Sequence, residues 1–571
     1  MTCKKKLILI FLILTLLITA CGQENVSEVI YEDANEGNHL DLEPQEGGQV
    51  IVPLTNFNTL NPLLTSNSSY YHFSKLIFEG LFDFDSDLNV VPKLAEKYFF
   101  FNDDKTISVE LKGGVKWHDG TPFTTEDVAF TIDAIKYANR EGTYGNILES
   151  NLGINPINFN SIINTKIIDE RIIEIIFDRA YLNNLEVLTF PIIPKHIFED
   201  NSTRNSLINA LNTEEYIPLG TGPYKFENYE KHKYVTLTKY DEYWDGSPNI
   251  NEIIGKVLDD EELILTSFET GQIDFATTIG VDWDKYRQYD NIEVLEYVSN
   301  NYEFLGFNFN NELMSGERGQ AIRKAIYYGI NRQDIIHKVY LGHGTQIDVP
   351  LHPDFYLLSS HAHSYGYNSD MALKILNSAG FMDHDGDGIL EDEEGNRLSL
   401  RLATNANNNF RRLVGDLIKD YLQDIGIEII LDYDTQYVRE YDETEDNIIW
   451  EQFNNKINNG NYDIVLLGWQ SSVIPNLYPI FHSSMISLRS NFINYNNEEM
   501  DQILMDTLID KSREEKLDSY EKLQKYIVED VPYISLYFEN IGLLVDSKIH
   551  GDLNPTFYNI YNGIENCYIV E

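Results

Sequence analysis

Apolar residues recur along this chain with two periods, and the periods mark its elements. Residues 106–111 alternate polar with apolar (Ile107, Val109, Leu111), the repeat of a half-buried strand, and Gly113-Gly114 ends it. His118-Asp119-Gly120-Thr121-Pro122 then predicts a tight turn, with Trp117 and Phe123 left to pin it to a core. Thr124, three residues ahead of Asp127, reads as an N-cap with an acidic partner, and Val128, Ile132 and Ile135 form a helical stripe behind it. The same reading predicts strands at 48–54, from Phe304, and at 398–402, with a strand-like run over 162–177. It predicts helices at 70–81, 261–270, 321–332, 371–379 and 413–425. Residues 462–469 (YDIVLLGW) hold four successive apolar residues, too many for a half-exposed alternation, so this strand is buried on both faces.

Length and charge narrow the classes. At 571 residues the chain exceeds one ordinary core, so two or three domains are expected, and 43% apolar content can fill them. No internal repeat suggests a solenoid. Formal charge is -48, with 91 acidic residues against 43 basic, which excludes nucleic acid and electrostatic docking on anionic lipid. An acidic solvated surface that keeps an external protein soluble is the simpler use of that charge. Three lysines precede an apolar run at 7–17, too short and too one-sidedly flanked to be a membrane span, so an export leader is expected. Ile18-Thr19-Ala20-Cys21 looks like a lipobox, with cleavage before Cys21 and lipidation of its thiol. Residues 22–46 carry eight acids and no Lys or Arg, a flexible tether reaching roughly 25 to 30 Å. With Cys21 modified, Cys567 has no partner within the mature chain and reads as a small, partly buried residue.

One stretch also carries a family pattern. Lys116-Trp117, Asp119-Gly120, Phe123-Thr124 and Glu126-Asp127-Val128-Ala129-Phe130, in that order, resemble the signature of the family 5 extracellular solute-binding proteins, the oligopeptide-, dipeptide- and nickel-binding receptors of bacterial ABC importers. Leu60-Asn61-Pro62, the turn at 91–96, the PIIPKHIF run at 191–198, the PLGTGPY run at 218–224, the YWDGSP turn at 243–248 and the segment 321–332 continue it, so the resemblance spans about 47–570. It implies a periplasmic-binding-protein-like α/β fold (type II, cluster C), two hinged lobes with an extra domain. The implied partition is a leader (1–20), a tether (21–46), lobe 1 (47–66, 220–300 and 530–571), an inserted domain (67–219) and lobe 2 (301–529). Gly220-Thr221-Gly222-Pro223 has the composition of a hinge, two positions free in φ beside fixed ones. The implied protein is a monomeric lipoprotein anchored on the extracytoplasmic face, which captures an oligopeptide or related small solute and delivers it to the permease subunits of an ABC importer without a required cofactor. Two other readings stay open: a peptide-sensing receptor that does not transport, and a receptor for nickel or a metal chelate. No nucleophile elbow, Walker loop or H-E-x-x-H appears, so an enzyme such as a secreted hydrolase has no motif behind it.

The candidate site follows from the buried strand, whose carboxyl end is where α/β domains bind ligands. Trp469 is expected to stack on ligand, with Tyr70 and Tyr71, although a tyrosine pair at a helix start is most often core packing. Ser471, Ser472 and Asn476 are expected to supply polar contacts. Peptide-binding members of the resembled family usually place an aspartate in this loop for the α-ammonium, and this chain has Ser471, Ser472, Ile474 and Asn476 instead. Asn407 and Arg411, near a helix N-terminus, suit an anionic group. His196 lies among apolar residues with no second ligand near and reads as structural, while His352, His361 and His363 crowd one region and could hold a transition metal. Residues 383–394 (DHDGDGILEDEE) match an EF-hand loop at each key position: Asp383, Asp385, Asp387, the Ile389 carbonyl, Glu391 through water and Glu394 with two oxygens. A strand-like run follows it, not a second helix, so a structural calcium ion is expected and not a sensor.

Overall fold

Strand Gln49–Leu54 buries Val50, Val52 and Leu54 on one face, as its alternation requires. It pairs in parallel with Glu252–Val257, and antiparallel strands Tyr234–Lys239 and Tyr224–Glu230 complete a four-stranded sheet. The computed structural model describes residues 44–141, 162–180, 184–279, 283–359, 365–405, 407–433, 443–473, 476–508 and 513–570. The expected leader, Cys21, most of the tether, His361, His363 and Ile474 lie outside the described residues.

A second four-stranded sheet, wholly antiparallel, runs in the order Ala95–Phe101, Thr106–Leu111, Ile172–Phe177, Ile162–Ile167. The strand-like run of 162–177 is therefore a hairpin, its turn held by Asp169 Oδ1, which accepts from the N–H groups of Arg171 and Ile172. The family-like segment forms a knot beside it. Asp127 Oδ2 accepts from the Thr124 N–H (2.9 Å) and, more loosely, from the Trp117 indole (3.3 Å). Its Oδ1 accepts from the Lys195 N–H (2.9 Å). Burial raises the Asp127 carboxyl against the pull of those donors. His196 Nε2 lies 2.8 Å from Asp119 Oδ2, a structural placement.

The helix predicted over 70–81 is shorter, Ser68–Ser74, and tertiary contacts explain its end. The Leu76 and Ile77 carbonyls accept from the Tyr224 (3.0 Å) and Gly222 (2.9 Å) N–H groups, so they serve the incoming chain and not another helical turn. A Cβ on Gly220 would lie 1.8 Å from the Ile77 carbonyl oxygen, and one on Gly222 2.7 Å from that of Leu76. The Gly-Thr-Gly-Pro run is thus a close-packed crossing, and its glycines answer to contact distance. The hinge expected there falls in this close-packed crossing.

A seven-stranded mixed sheet joins the two lobes. Its order is Phe275–Ile279, Tyr533–Asp546, Ile292–Phe307, Ile464–Gln470, Ser399–Ala403, Glu428–Leu431, with Gly344–Gln346 added on Tyr533–Asp546. Phe275–Ile279 is tied to the first sheet by Asp274, whose N–H donates to the Ile51 carbonyl and whose Oδ2 accepts from the Ile51 N–H, both at 2.7 Å. At the other end, Ser399–Ala403 runs parallel to both of its neighbours. Helix Asn409–Asp424 covers this end, its start capped by Asn408. The segment predicted as one helix over 321–332 belongs to two, Gly316–Gly329 and Arg332–Tyr340. Arg323 and Arg332 beneath them are almost wholly buried and paired with Asp530 (3.2 Å) and Asp348 (2.7 Å).

Candidate functional site at the crossing of the lobes

Among the described residues two strands, Ile292–Phe307 and Tyr533–Asp546, run through both halves of the large sheet, and their pairing slips twice, widely between Val298 and Tyr302 and again between Glu303 and Phe304. Register holds from Ile292↔Asp546 to Val298↔Asn540, then resumes at Tyr302↔Phe538, leaving Ser299, Asn300 and Asn301 out of step. Such a bulge bends a strand and loosens its ladder locally. Two loops pin it. His352, 1% exposed, donates from Nε2 to the Ser299 carbonyl (3.2 Å), and its Nδ1 accepts from the Asp354 N–H (3.2 Å). Burial pushes its pKa down to about 4, so the ring is neutral at pH 7. With both nitrogens engaged, His352 is not free to ligate a metal, which removes one of the three histidines grouped by sequence.

The second loop is the one expected to touch ligand. The Ser471 N–H donates to the Asn300 carbonyl at 2.6 Å, so the residue after the buried strand is fastened to the bulge. Trp469, half-buried, packs on Phe304, Tyr302 and Tyr533, with ring centroids 4.3, 5.1 and 5.5 Å away. Ser472 is half-buried beside it. Asn476 Oδ1 accepts from the Tyr478 N–H (3.1 Å), the bond of a local turn. Tyr71 and Tyr70 lie elsewhere. Tyr70 is fully buried, stacks on Phe57 (4.8 Å) and donates its hydroxyl to the Leu60 carbonyl (2.6 Å), so it presents no surface to a ligand. Tyr71, 4% exposed, lines a narrow cavity of about 70 Å³ with Lys75, Glu79, Asp83, Lys93 and Tyr558, inside the first lobe.

Arg411 is not a free anion receptor. Its guanidinium grips Glu303 through Nε (2.9 Å to Oε2) and Nη2 (2.7 Å to Oε1), while Nη1 donates to Asn405 Oδ1 (2.8 Å). Glu303 is 5% exposed, and a Cβ on Gly468 would fall 2.2 Å from Glu303 Oε1, so that glycine makes room for the pair. Burial pushes the Glu303 carboxyl above its ordinary range, further than Arg411 pulls it down. Beside them Glu539 accepts from Asn301 Nδ2 (2.9 Å) and from the Tyr340 hydroxyl (3.1 Å). Asn407 is exposed, with its Oδ1 accepting from Asn405 Nδ2 (2.9 Å). Sequence reasoning missed Glu303 and Glu539; the signal available was a lone acid in the apolar run of a central strand.

In the acidic loop, one oxygen each from Asp383, Asp385, Asp387 and Glu391 lie within 4.8 Å of one another. Glu394, expected to close the set with two oxygens, stands outside that group, exposed on a separate turn in which Asp392 Oδ1 accepts from the Glu394 and Asn396 N–H groups. Ile389 buries its side chain and donates its N–H to Asp387 Oδ1.

Two α/β lobes strung on a bulged two-strand crossing, with polar and aromatic side chains gathered at the crossing, define the class of two-lobe extracytoplasmic binding proteins. The chain belongs to the bacterial extracellular solute-binding proteins, family 5, whose model matches residues 89–485. It is 27% identical to the oligopeptide-binding protein AppA of Bacillus subtilis over 562 residues, 97% of this chain and 96% of the relative. The solved structure of that AppA with a nonapeptide aligns with a TM-score of 0.62 at 25% identity, covering 93% of this chain and 100% of the other. The ABC transporter substrate-binding protein CtaP of Listeria monocytogenes shares the fold at a TM-score of 0.72 and 21% identity, over 92% and 100% of the two chains. NikZ of Campylobacter jejuni, solved with Ni(L-His), shares it at 0.64 and 22%, over 91% and 99%. The family is one of binding proteins outside the cytoplasm and not of enzymes.

Proposed function

We propose that this protein is the receptor of a peptide-type ABC importer, which captures an oligopeptide or related small solute between its lobes and presents it to the permease. The observation that carries this reading is the end-to-end similarity to AppA, a protein solved with a nonapeptide in place. The bulge at 299–301 is the hinge, and the lobes it divides follow the partition 47–66 and 220–300 with the insert 67–219 on one side and 301–529 on the other, except that the last boundary, expected at 530, falls opposite the bulge near 538–540, because Tyr533–Phe538 pairs with 302–306. Ligand drives closure only through its preference for the closed state. Trp469, Ser471 and Ser472 are the proposed contacts, with Asn407 at the rim. The loop carries no aspartate for an α-ammonium, so acetylating a peptide's amino end should change its affinity by less than about tenfold. Cys21 carries the lipid anchor, the tether holds a monomer clear of the membrane, and a structural calcium ion occupies the loop at 383–394. The test is small-angle scattering during addition of peptide pools, with mass spectrometry of whatever co-purifies from the native host. A compaction on peptide addition is expected; no compaction and no binding across the pools refutes the peptide assignment.

A further inference from the structure

We infer that the cation site of the acidic loop is closed by Glu391, the base of a β-hairpin, and not by Glu394. This rests on the proposal that the loop takes calcium, and concerns which residues hold the ion.

The three aspartates are exposed, and each already accepts backbone N–H groups of the loop. Asp383 accepts from Gly386 (2.6 Å) and Gly388 (3.1 Å), Asp385 from Asp387 (3.1 Å), and Asp387 from Ile389 (2.9 Å). Their remaining lone pairs can be served by water, so by themselves they say nothing about an ion. Glu391 differs. It is 5% exposed, its Oε2 accepts from the His384 N–H at 2.9 Å, and its Oε1 is buried without a hydrogen-bond partner. A carboxylate oxygen shut away from water without a donor is costly to keep. The Glu391 carboxylate stands among those of Asp383, Asp385 and Asp387, one oxygen of each within 4.8 Å of the others, so a cation there satisfies all four at once.

The donor set selects the ion. Four carboxylates with no imidazole or thiolate among them suit a hard cation, and the exposed, jointed aspartates suit the loose coordination of calcium better than the strict octahedron of magnesium. One competitor is built in: Arg397 Nη1 lies 2.7 Å from Asp387 Oδ2. The place of Glu391 gives the ion a structural effect. Its backbone bridges Met382 on one side and Arg397 on the other. The neighbouring Leu390 N–H donates to the Gly426 carbonyl (2.9 Å), and the Leu390 carbonyl accepts from Leu398 (2.8 Å). An ion at Glu391 thus braces the hairpin against the end of helix Asn409–Asp424 and the start of strand Ser399–Ala403, away from the crossing of the lobes.

The test uses the chain from residue 44 onward with its lobes intact, stripped with chelator and titrated with calcium chloride by calorimetry, with the melting temperature followed in parallel. The wild type should bind one calcium with a dissociation constant on the order of 10⁻⁵ to 10⁻³ M and melt higher when loaded. Glu391→Gln, which keeps an acceptor for the His384 N–H, should weaken binding at least tenfold. Asp385→Asn should weaken it as well, Glu394→Gln should leave it within twofold, and Arg397→Gln should tighten it. Loss of binding in Glu394→Gln with retention in Glu391→Gln or Asp385→Asn overturns the assignment of Glu391. No binding and no melting shift in the wild type overturns the calcium proposal itself, so the two failures are distinct.

Discussion

Replacing Arg411 by leucine removes every charged partner that holds Glu303. Nε and Nη2 supply three contacts to the carboxylate between 2.7 and 3.2 Å, and Gly468 opposite offers no side chain to replace them. Glu303 stays in a site where it is 5% exposed. Orphaning one member of a buried pair costs about 3–5 kcal/mol, and that loss is expected at pH 8. The pH dependence carries a sign. The Glu303 carboxyl is already raised by burial in the intact protein, and loss of the guanidinium raises it further. A carboxyl whose folded pKa lies above its unfolded value of about 4.3 contributes stability at low pH and loses it as pH climbs through the folded value. Leucine at 411 should therefore cost less at pH 5 than at pH 8, and adding Glu303→Gln should recover part of the loss. Urea denaturation at both values, followed by tryptophan fluorescence, measures this. A deficit under about 1 kcal/mol, or one equal at both pH values, refutes the claim that Arg411 is committed to Glu303 and returns it to the ligand.

Three further predictions follow from other packing. Gly220→Ala puts a methyl 1.8 Å from the Ile77 carbonyl oxygen, and a loss of 2 kcal/mol or more, about the cost of overpacking, should appear as a lowered melting temperature. Tyr70→Phe loses only the hydroxyl bond to Leu60, so it should cost about 1 kcal/mol and leave ligand affinity unchanged; a drop in affinity would place Tyr70 in the site. His118 has its pKa lowered to about 4 by burial, with Nε2 donating to the Gly222 carbonyl (3.0 Å). Because the unfolded ring protonates near 6.5, stability should fall as pH drops from about 6.5 toward 4, and His118→Gln should flatten that slope in denaturation curves.

Much of the fold was legible where local pattern and tertiary need agree. The strand at 106–111 starts from a local hairpin with Ala95–Phe101, and the Thr124–Asp127 pairing ahead of helix Thr125–Glu141 closes over three residues, so periodicity and capping chemistry suffice there. Two of the misses share one cause, a partner remote in the chain, and the third comes from a local fold-back. The helix begun at Ser68 stops at Ser74 because residues near 222 take its next carbonyls. Arg411 looked available because Glu303 lies 108 positions earlier. Residues 383–394 kept EF-hand spacing on paper, but the chain folds back at Glu391 to pair with Met382 and Arg397, which carries Glu394 away. The Ser-Asn-Asn at 299–301 did leave a mark, three successive polar residues in a strand whose acids, Glu293, Glu296 and Glu303, stand singly.

The crossing has a consequence for how such receptors diversify. Past the bulge the chain enters the far half of the shared ribbon at Tyr302 and leaves it again at Phe538, which face each other on adjacent strands, and such neighbours lie about 5 Å apart. The span between is tied covalently at two neighbouring rungs, and it also meets the rest of the chain through contacts such as the Tyr356 N–H on the Asp87 carbonyl (3.1 Å). A gene segment encoding that span can be exchanged for a relative's as a cassette, with two joints and those contacts to match, so cargo preference can change while the remainder of the molecule keeps its architecture.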